Sequence, residues 1–256
     1  MKKAIFGLAL LVGVAVACKK TDTIPERYTA VPAENTYFRF INVAPGTPAV
    51  NFFVNGEKIS GRAATGTGAT TGVGYGVMFP VSTNVAYASV PAGNLKVDAK
   101  VIDSSTVMPG ALILSRTQGF NAGQYYTFVL LDTVTQATAL IVEDSLGVAI
   151  PTKAYVRIAN FTADSAFNMQ VTKTTTADFA YTKTFANIPQ KSVTAFDTLT
   201  AGGSQTYKFD LRRTTNNAIV ATLTGFVPNP AKKYTIYVGG LLRTPQQLQF
   251  GSYTLN

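Results

Sequence analysis

The chain has 256 residues, 46% of them hydrophobic and 14% charged, with 22 Lys and Arg against 13 Asp and Glu and no histidine. Such a composition excludes a disordered chain and supplies the apolar surface for a sizeable core, at a length that suits two moderate domains. Without an imidazole the chain lacks the usual general base near neutral pH, the usual zinc ligand and the second member of a Ser-His or Cys-His pair.

At the start, Met1 to Lys3 carry the charge of two lysines, and Ala4 to Ala17 form an uncharged apolar run too short to span a bilayer. Ala15-Val16-Ala17 then sets small residues before Cys18, the single cysteine. This segment resembles the lipobox of bacterial lipoproteins, with Ala15 where leucine is usual. The resemblance implies a diacylglyceryl group on the Cys18 thiol, cleavage between Ala17 and Cys18, and acylation of the new amine. Each buried acyl CH₂ contributes about 0.8 kcal/mol, and stable anchoring takes more than one chain, as a lipoprotein cysteine provides. Read instead as an ordinary secretory signal, the same run leaves Cys18 a free thiol, a liability in an oxidising compartment. Residues 1–17 are thus expected to be a signal peptide and 18–34 a lipidated tether, reaching roughly 50 Å at about 3.3 Å per residue. With one cysteine no internal disulfide can form, so packing and ladder hydrogen bonds must hold the fold.

The chain then repeats itself. Tyr37-Phe38-Arg39-Phe40-Ile41-Asn42 reads against Tyr155-Val156-Arg157-Ile158-Ala159-Asn160. Pro91-Ala92-Gly93 with the alternating Leu95, Val97 and Ala99 reads against Thr200-Ala201-Gly202 with Tyr207, Phe209 and Leu211, and Tyr126-Thr127-Phe128 against Tyr234-Thr235-Ile236. Three anchors in one order predict two copies of a module, at 35–150 and 151–256. Gly61 to Gly76, rich in Gly, Thr and Ala without apolar periodicity, reads as a long loop of the first copy.

Both copies read as β. In the first, strands are expected at Phe38 to Ile41, Ala49 to Val54, Val85 to Val90, Leu95 to Ile102, Ala111 to Leu114, Tyr125 to Leu131 and Ala139 to Val142. Asn55-Gly56 is a two-residue hairpin signal. In the second they fall at Ala154 to Ala159, Phe167 to Val171, Val193 to Phe196, Tyr207 to Leu211, Ile219 to Leu223, Tyr234 to Val238 and Gln247 to Tyr253. No helical period is sustained beyond the signal peptide. The expected fold is all-β: two tandem immunoglobulin-like antiparallel β-sandwich domains, since one sheet cannot cover its own apolar face.

Phe38-Arg39-Phe40-Ile41-Asn42-Val43-Ala44-Pro45-Gly46-Thr47-Pro48-Ala49-Val50, continuing to Val54-Asn55-Gly56, resembles the opening of the DUF4397 domain. Val90-Pro91-Ala92-Gly93 and Leu140-Ile141-Val142-Glu143-Asp144-Ser145-Leu146 resemble its later motifs. In the second copy Thr162-Ala163-Asp164-Ser165-Ala166 replaces the Pro-containing turn and the Asn-Gly hairpin is missing. The resemblance implies secreted or cell-surface β-sandwich modules, often in tandem and often on lipoproteins of the Bacteroidota. It implies no established activity and carries no functional residues over.

Chemical motifs are absent where catalysis would need them. No serine has Lys three residues on, and no G-x-S-x-G elbow occurs. Glu143 and Asp144 are neighbours near a strand end and point to opposite faces, which rules out joint work on one bond. Gly66-x-Gly68 and Gly72-x-Gly74-x-Gly76 do not open a helix after a strand, as a phosphate cradle must. The chain is therefore read as no enzyme, with no cofactor and no metal site. Tyr75, within the long loop, is a candidate for stacking on a sugar ring.

Charge separates the copies. Residues 30–150 carry a net −1 and residues 151–256 a net +7. Lys191, Lys208, Arg212, Arg213, Lys232 and Lys233 lie on or beside expected strands and would attract an anionic partner if they shared a face; scattered solubilising charge is the other reading. An exported chain meets acidic glycan, lipopolysaccharide, membrane headgroups or envelope proteins, and no nucleic acid. The sequence is thus read as a lipid-anchored outer-membrane lipoprotein, facing the periplasm or the cell surface. It would act as a non-catalytic binding module for glycan or an anionic surface polymer, or alternatively as a structural or assembly component of an envelope protein complex.

Overall fold

The computed structural model describes residues 34–61, 72–81, 85–147, 150–175, 181–202 and 205–255. The expected signal peptide, Cys18 and all of the tether but Glu34 lie outside them. Nine strands make a first β-sandwich: β1 (Asn35–Asn42), β2 (Val50–Val54), β3 (Glu57–Lys58), β4 (Val77–Phe79), β5 (Ala88–Pro91), β6 (Gly93–Val101), β7 (Leu112–Phe120), β8 (Tyr125–Leu131) and β9 (Thr138–Glu143). Nine more make a second: β10 (Lys153–Thr162), β11 (Phe167–Lys173), β12 (Thr182–Ile188), β13 (Ser192–Val193), β14 (Asp197–Thr200), β15 (Tyr207–Arg213), β16 (Ile219–Phe226), β17 (Lys233–Gly240) and β18 (Gln249–Thr254). Two 3₁₀ turns, Val134–Gln136 and Pro245–Gln247, sit before β9 and β18.

The same strand order is used twice. One sheet of the first sandwich runs β4-β1-β8-β9 with β5 also on β1, and its counterpart runs β13-β10-β17-β18 with β14 on β10. The opposing sheets run β3-β2-β6-β7 and β12-β11-β15-β16. Pairing is antiparallel except β1 with β8 and β10 with β17, which are parallel. Both sandwiches belong to one compact unit spanning residues 33–256.

Alternation along β1 places its side chains. Phe38 and Phe40 point into the first core, stacked on each other with centroids 5.6 Å apart, and Phe40 stacks on Phe52 of β2 at 4.6 Å. Asn55 (φ 48°) and Gly56 (φ 87°) make the tight hairpin that returns β2 to β3. In the second sandwich Val156, Ile158, Phe167, Phe209, Leu211 and Ile236 fill the equivalent core.

The other face of each inner sheet is apolar too. Ile41, Val43, Val129 and Leu131 of the first sandwich pack with Ala159, Phe161, Tyr237 and Tyr253 of the second in a third buried cluster. The four sheets therefore stack as layers, with the seam in the middle. Gly239 comes so close to the first sandwich that a methyl there would lie 2.5 Å from the Val43 Cβ.

Two arginines are buried in that seam. Arg39 of β1 (0% exposed) donates to the Thr254 carbonyl at 3.0 Å, and its guanidinium lies 4.5 Å from the Tyr87 ring centre and 4.4 Å from that of Tyr253. Arg157 of β10 (6% exposed) donates to the Glu143 carbonyl at 3.2 Å and to Thr235 Oγ1 at 2.8 Å. Each arginine thus reaches the last residue of the final inner strand of the other sandwich. Among the described residues Asp144 alone supplies counter-charge: it pairs with Arg157 and accepts from Thr127 at 2.5 Å and Tyr87 at 2.9 Å. Burial raises its carboxyl, while Arg157, Thr127, Arg39 and Tyr87 work to keep it ionised. At the matching place in the second sandwich stands Leu255, which like Asp144 donates its N–H back to the neighbouring strand.

The structure departs from the expected elements in five places. β12 and β4 were not anticipated: β12 is an exposed polar edge strand, and β4 follows glycines that read as loop. The expected strand at Val193 to Phe196 is split into β13 and β14, because Phe196 leaves the ladder to pack under Arg157 and Lys233. The strand expected at Ala111 to Leu114 runs on to Phe120 through Ser115, Arg116, Thr117 and Gln118, a polar stretch exposed on the sheet edge. Of the expected Gly61 to Gly76 loop, Val73 is fully buried and forms an antiparallel bridge with Val50.

Two outcomes test the seam. Gly239→Ala is expected to lose about 1–3 kcal/mol, as an overpacked core does, measured by chemical denaturation. Asp144→Asn is expected to lose about 3–5 kcal/mol by leaving buried guanidinium charge uncompensated. In a double-mutant cycle with Arg157→Gln, the double variant should lose less than the two singles together.

Candidate functional site

An open cleft of about 350 Å³ lies where connections from both sandwiches meet. The β8–β9 connection brings Asp132, Thr133 and Gln136, and β9 adds Thr138. The β10–β11 turn brings Asp164, the β12–β13 turn Lys191, and the β17–β18 connection Leu241 and Arg243. Its walls are thus short turns on rigid sheets, the usual carriers of recognition.

Local chemistry holds the lining in place. Asp132, at φ 63°, accepts from Thr138 Oγ1 and pairs with Lys191 Nζ at 2.8 Å, a link from the first sandwich to the second. Lys191 is itself at φ 53°, a backbone conformation uncommon for residues other than glycine. Asp164 accepts the backbone N–H groups of Leu242 at 2.7 Å and Arg243 at 2.9 Å, pinning the β17–β18 connection. Both carboxylates are therefore engaged in structural hydrogen bonds. The Arg243 side chain is exposed at the rim.

The residues singled out from sequence fall in several places. Lys191 is in the cleft. Tyr75 is half-buried at the seam, its hydroxyl bonded to the Gln247 carbonyl and its ring packed on the seam cluster. Lys233 is buried there as well, donating to the Ser145 carbonyl at 3.3 Å and lying 5.5 Å from the Phe196 ring centre. Burial, and then the Arg157 charge, push its pKa down. Lys208 and Arg212 flank Asp210 on the outside of the β15 sheet, at 2.9 and 3.8 Å. Burial works against the Asp210 anion, but hydrogen bonds from Lys208 and Thr222 and the charges of Lys208 and Arg212 hold its carboxyl below the ordinary value. Arg213 reaches the Leu242 carbonyl at 3.5 Å, and Lys232, half-buried, belongs to neither group. The basic residues of the second copy are not gathered on one face. Cys18 lies outside the described residues.

Sequence reasoning missed the rest of the cleft. Asp132, Thr133, Gln136, Thr138, Asp164 and Arg243 carry no motif. A repeated pattern was visible and not read: Lys96-x-Asp98-x-Lys100 on β6 matches Lys208-x-Asp210-x-Arg212 on β15, and Lys96 pairs with the buried Asp98 at 3.4 Å. Among the described residues no group of three or more His, Cys, Asp or Glu is placed to hold a metal ion. Also among them, no helix is long and apolar enough to cross a membrane.

Fold and cleft together define a protein of two similar β-sandwiches with a polar site at their junction. The chain belongs to the DUF4397 family, a domain of unknown function, whose defining pattern matches residues 36–172. That match begins in β1 and ends in β11, past the junction of the two sandwiches. No curated protein matches the chain. Among solved structures it is similar to a candidate adhesin from Bacteroides ovatus at 8% identity, with 81% of this chain and 90% of that one covered and a TM-score of 0.21. A likeness that loose carries no role across.

The seam tyrosines give a pH signature. Burial pushes Tyr75 up to about 12 and, with Tyr253 adding to the effect and Arg39 opposing it, Tyr237 up to about 12. Unfolded tyrosines ionise near ~10, so the stability these two contribute is fully present below that pH and is lost as pH rises through about 12. A tyrosinate absorbance titration should show a late-ionising class that titrates together with loss of the folded signal. Ionisation of that class with the fold intact would contradict the seam assignment.

Proposed function

We propose that this protein is an envelope lipoprotein, held in the outer membrane by lipid on Cys18, that acts as a non-catalytic binding module for glycan or another polar surface polymer. The observation that carries this reading is the junction cleft. Its walls come from both sandwiches and are lined with hydrogen-bonding groups, and its two carboxylates are already committed to Thr138, Lys191 and backbone N–H groups. Carboxylates so engaged orient a ligand and are poorly placed to move protons. The lipid would put the cleft at the membrane surface, and the tether would free it to meet a partner.

A second reading, as a component of an envelope assembly, is favoured by the β6–β7 connection. There Val107 is 57% exposed and Leu112 52%, with Met108 also exposed between them, an apolar tip suited to a protein contact.

The anchor is tested in the native host. Mass spectrometry is expected to find acyl groups on Cys18 at the mature N-terminus, and Cys18→Ala should move the protein from the membrane fraction to the soluble one. A bare thiol would overturn the anchoring. For binding, the purified protein should retain a glycan from a panel of neutral and acidic polysaccharides, whereas copurification of one envelope complex after crosslinking, with no glycan retained, would favour assembly.

A further inference from the structure

Four charged side chains line the junction cleft, two of each sign: Asp132 and Asp164 against Lys191 and Arg243. Asp132 and Lys191 already neutralise each other at 2.8 Å. A site built for a polyanion gathers uncompensated cations, and the basic residues of the second sandwich lie elsewhere, with Lys208 and Arg212 on Asp210 and Lys233 in the seam. The remaining lining is the hydroxyls and amide of Thr133, Gln136 and Thr138 with the apolar Ala163 and Leu241.

Most small-molecule pockets have apolar walls with a few polar groups. Here polar and apolar surface are nearly balanced, with Ala163 and Leu241 the apolar part, and the charged, hydroxyl and amide groups select a ligand that is itself polar and alternates donors with acceptors. Among the described residues no aromatic ring lines the cleft, so hydrogen bonds rather than ring stacking do the recognising. Carboxylates accept from hydroxyls, Lys and Arg donate to hydroxyl oxygens, and Thr and Gln do both. The volume of about 350 Å³ is near the small end of ligand sites, and the cleft is open to solvent at its rim.

Resting on the binding-module reading above, we infer that the junction cleft is a subsite for an uncharged saccharide, holding a short stretch or an end of a neutral glycan. Arg243 and Gln136 reach it from the exposed rim, one from each sandwich. The two modules therefore read the sugar jointly. Neither sandwich alone holds a complete site.

The experiment uses the full-length lipid-anchored protein purified in detergent, titrated by calorimetry with neutral cello- and manno-oligosaccharides and with an acidic oligogalacturonate. Neutral oligosaccharide binding is expected to be insensitive to added salt. It should weaken about 10-fold in Arg243→Ala and in Gln136→Ala, each removing a rim hydrogen bond from a ligand site. Both side chains are exposed, so unchanged melting temperatures would show that the variants remain folded. Neutral binding that survives both substitutions, or binding confined to the acidic oligomer and abolished by salt, would overturn the inference and leave the binding-module reading standing. Retention of neither class would overturn both.

Discussion

Everything outside the two hydrophobic cores depends on the burial of Arg39 and Arg157 in the seam. A guanidinium in mid-strand on an open sheet face would ordinarily lie in water. Here each is covered by the other sandwich, and each reaches a carbonyl at the end of that sandwich's last inner strand, Thr254 for Arg39 and Glu143 for Arg157. Burying an ion pair seldom adds net stability over an apolar replacement, but it makes the wrong arrangement costly, because a shifted register would leave the guanidinium without its acceptors. The exchange therefore acts as a register device between modules. The apolar contacts of Ile41, Val129, Phe161 and Tyr237 supply attraction with little direction. The arginines supply the direction.

That alignment is what brings the cleft into being. Asp132 and Lys191 meet at 2.8 Å only because the two inner sheets are held in one relation, and Asp164 pins the neighbouring connection. An exposed pair of this kind contributes about 0.2–1 kcal/mol, too little to set the geometry of two domains. It responds to the seam and does not create it. The strands repeat from one sandwich to the other while the cleft is drawn from unlike turns of each, so duplication supplies the frame and divergence in the connections supplies the site.

Much of the frame was legible because alternation has a period of two. Phe38 and Phe40 against Tyr37, Arg39 and Ile41 read as a strand at once, and Tyr125 to Leu131 coincides with β8. The strands lost to sequence reading are those whose alternation is weak: β12 is exposed along most of its length, and the polar half of β7 is an edge. The parallel pairing of β1 with β8 could not be seen, since periodicity marks a strand and says nothing of its neighbours. The two seam arginines stood in the repeat that revealed the duplication, yet a lone Arg in a strand carries no mark of burial. Ile41 and Val129 on the same face were the signal that a further layer covers them. The cleft was less legible still. Its residues come from five segments spread from Asp132 to Arg243, and only Lys191 among them drew notice, for its charge.

The extent of the family pattern bears on what the folding unit is. A first sandwich ending at Ile150 would present Ile41, Val43, Val129 and Leu131 to water with Arg39 among them, an apolar face of the kind that demands a partner. The matched residues, 36–172, reach beyond that point to take in β10 and most of β11. They therefore include Arg157, Ala159 and Phe161, the first of which pairs with Asp144 and the others of which cover the exposed face. The matched segment of this chain thus spans both arginines of the seam and the carboxylate between them. On physical grounds the matched segment does not close the junction by itself, since β17 and β18 are needed from the second sandwich to complete its sheet and to supply the carbonyl that receives Arg39.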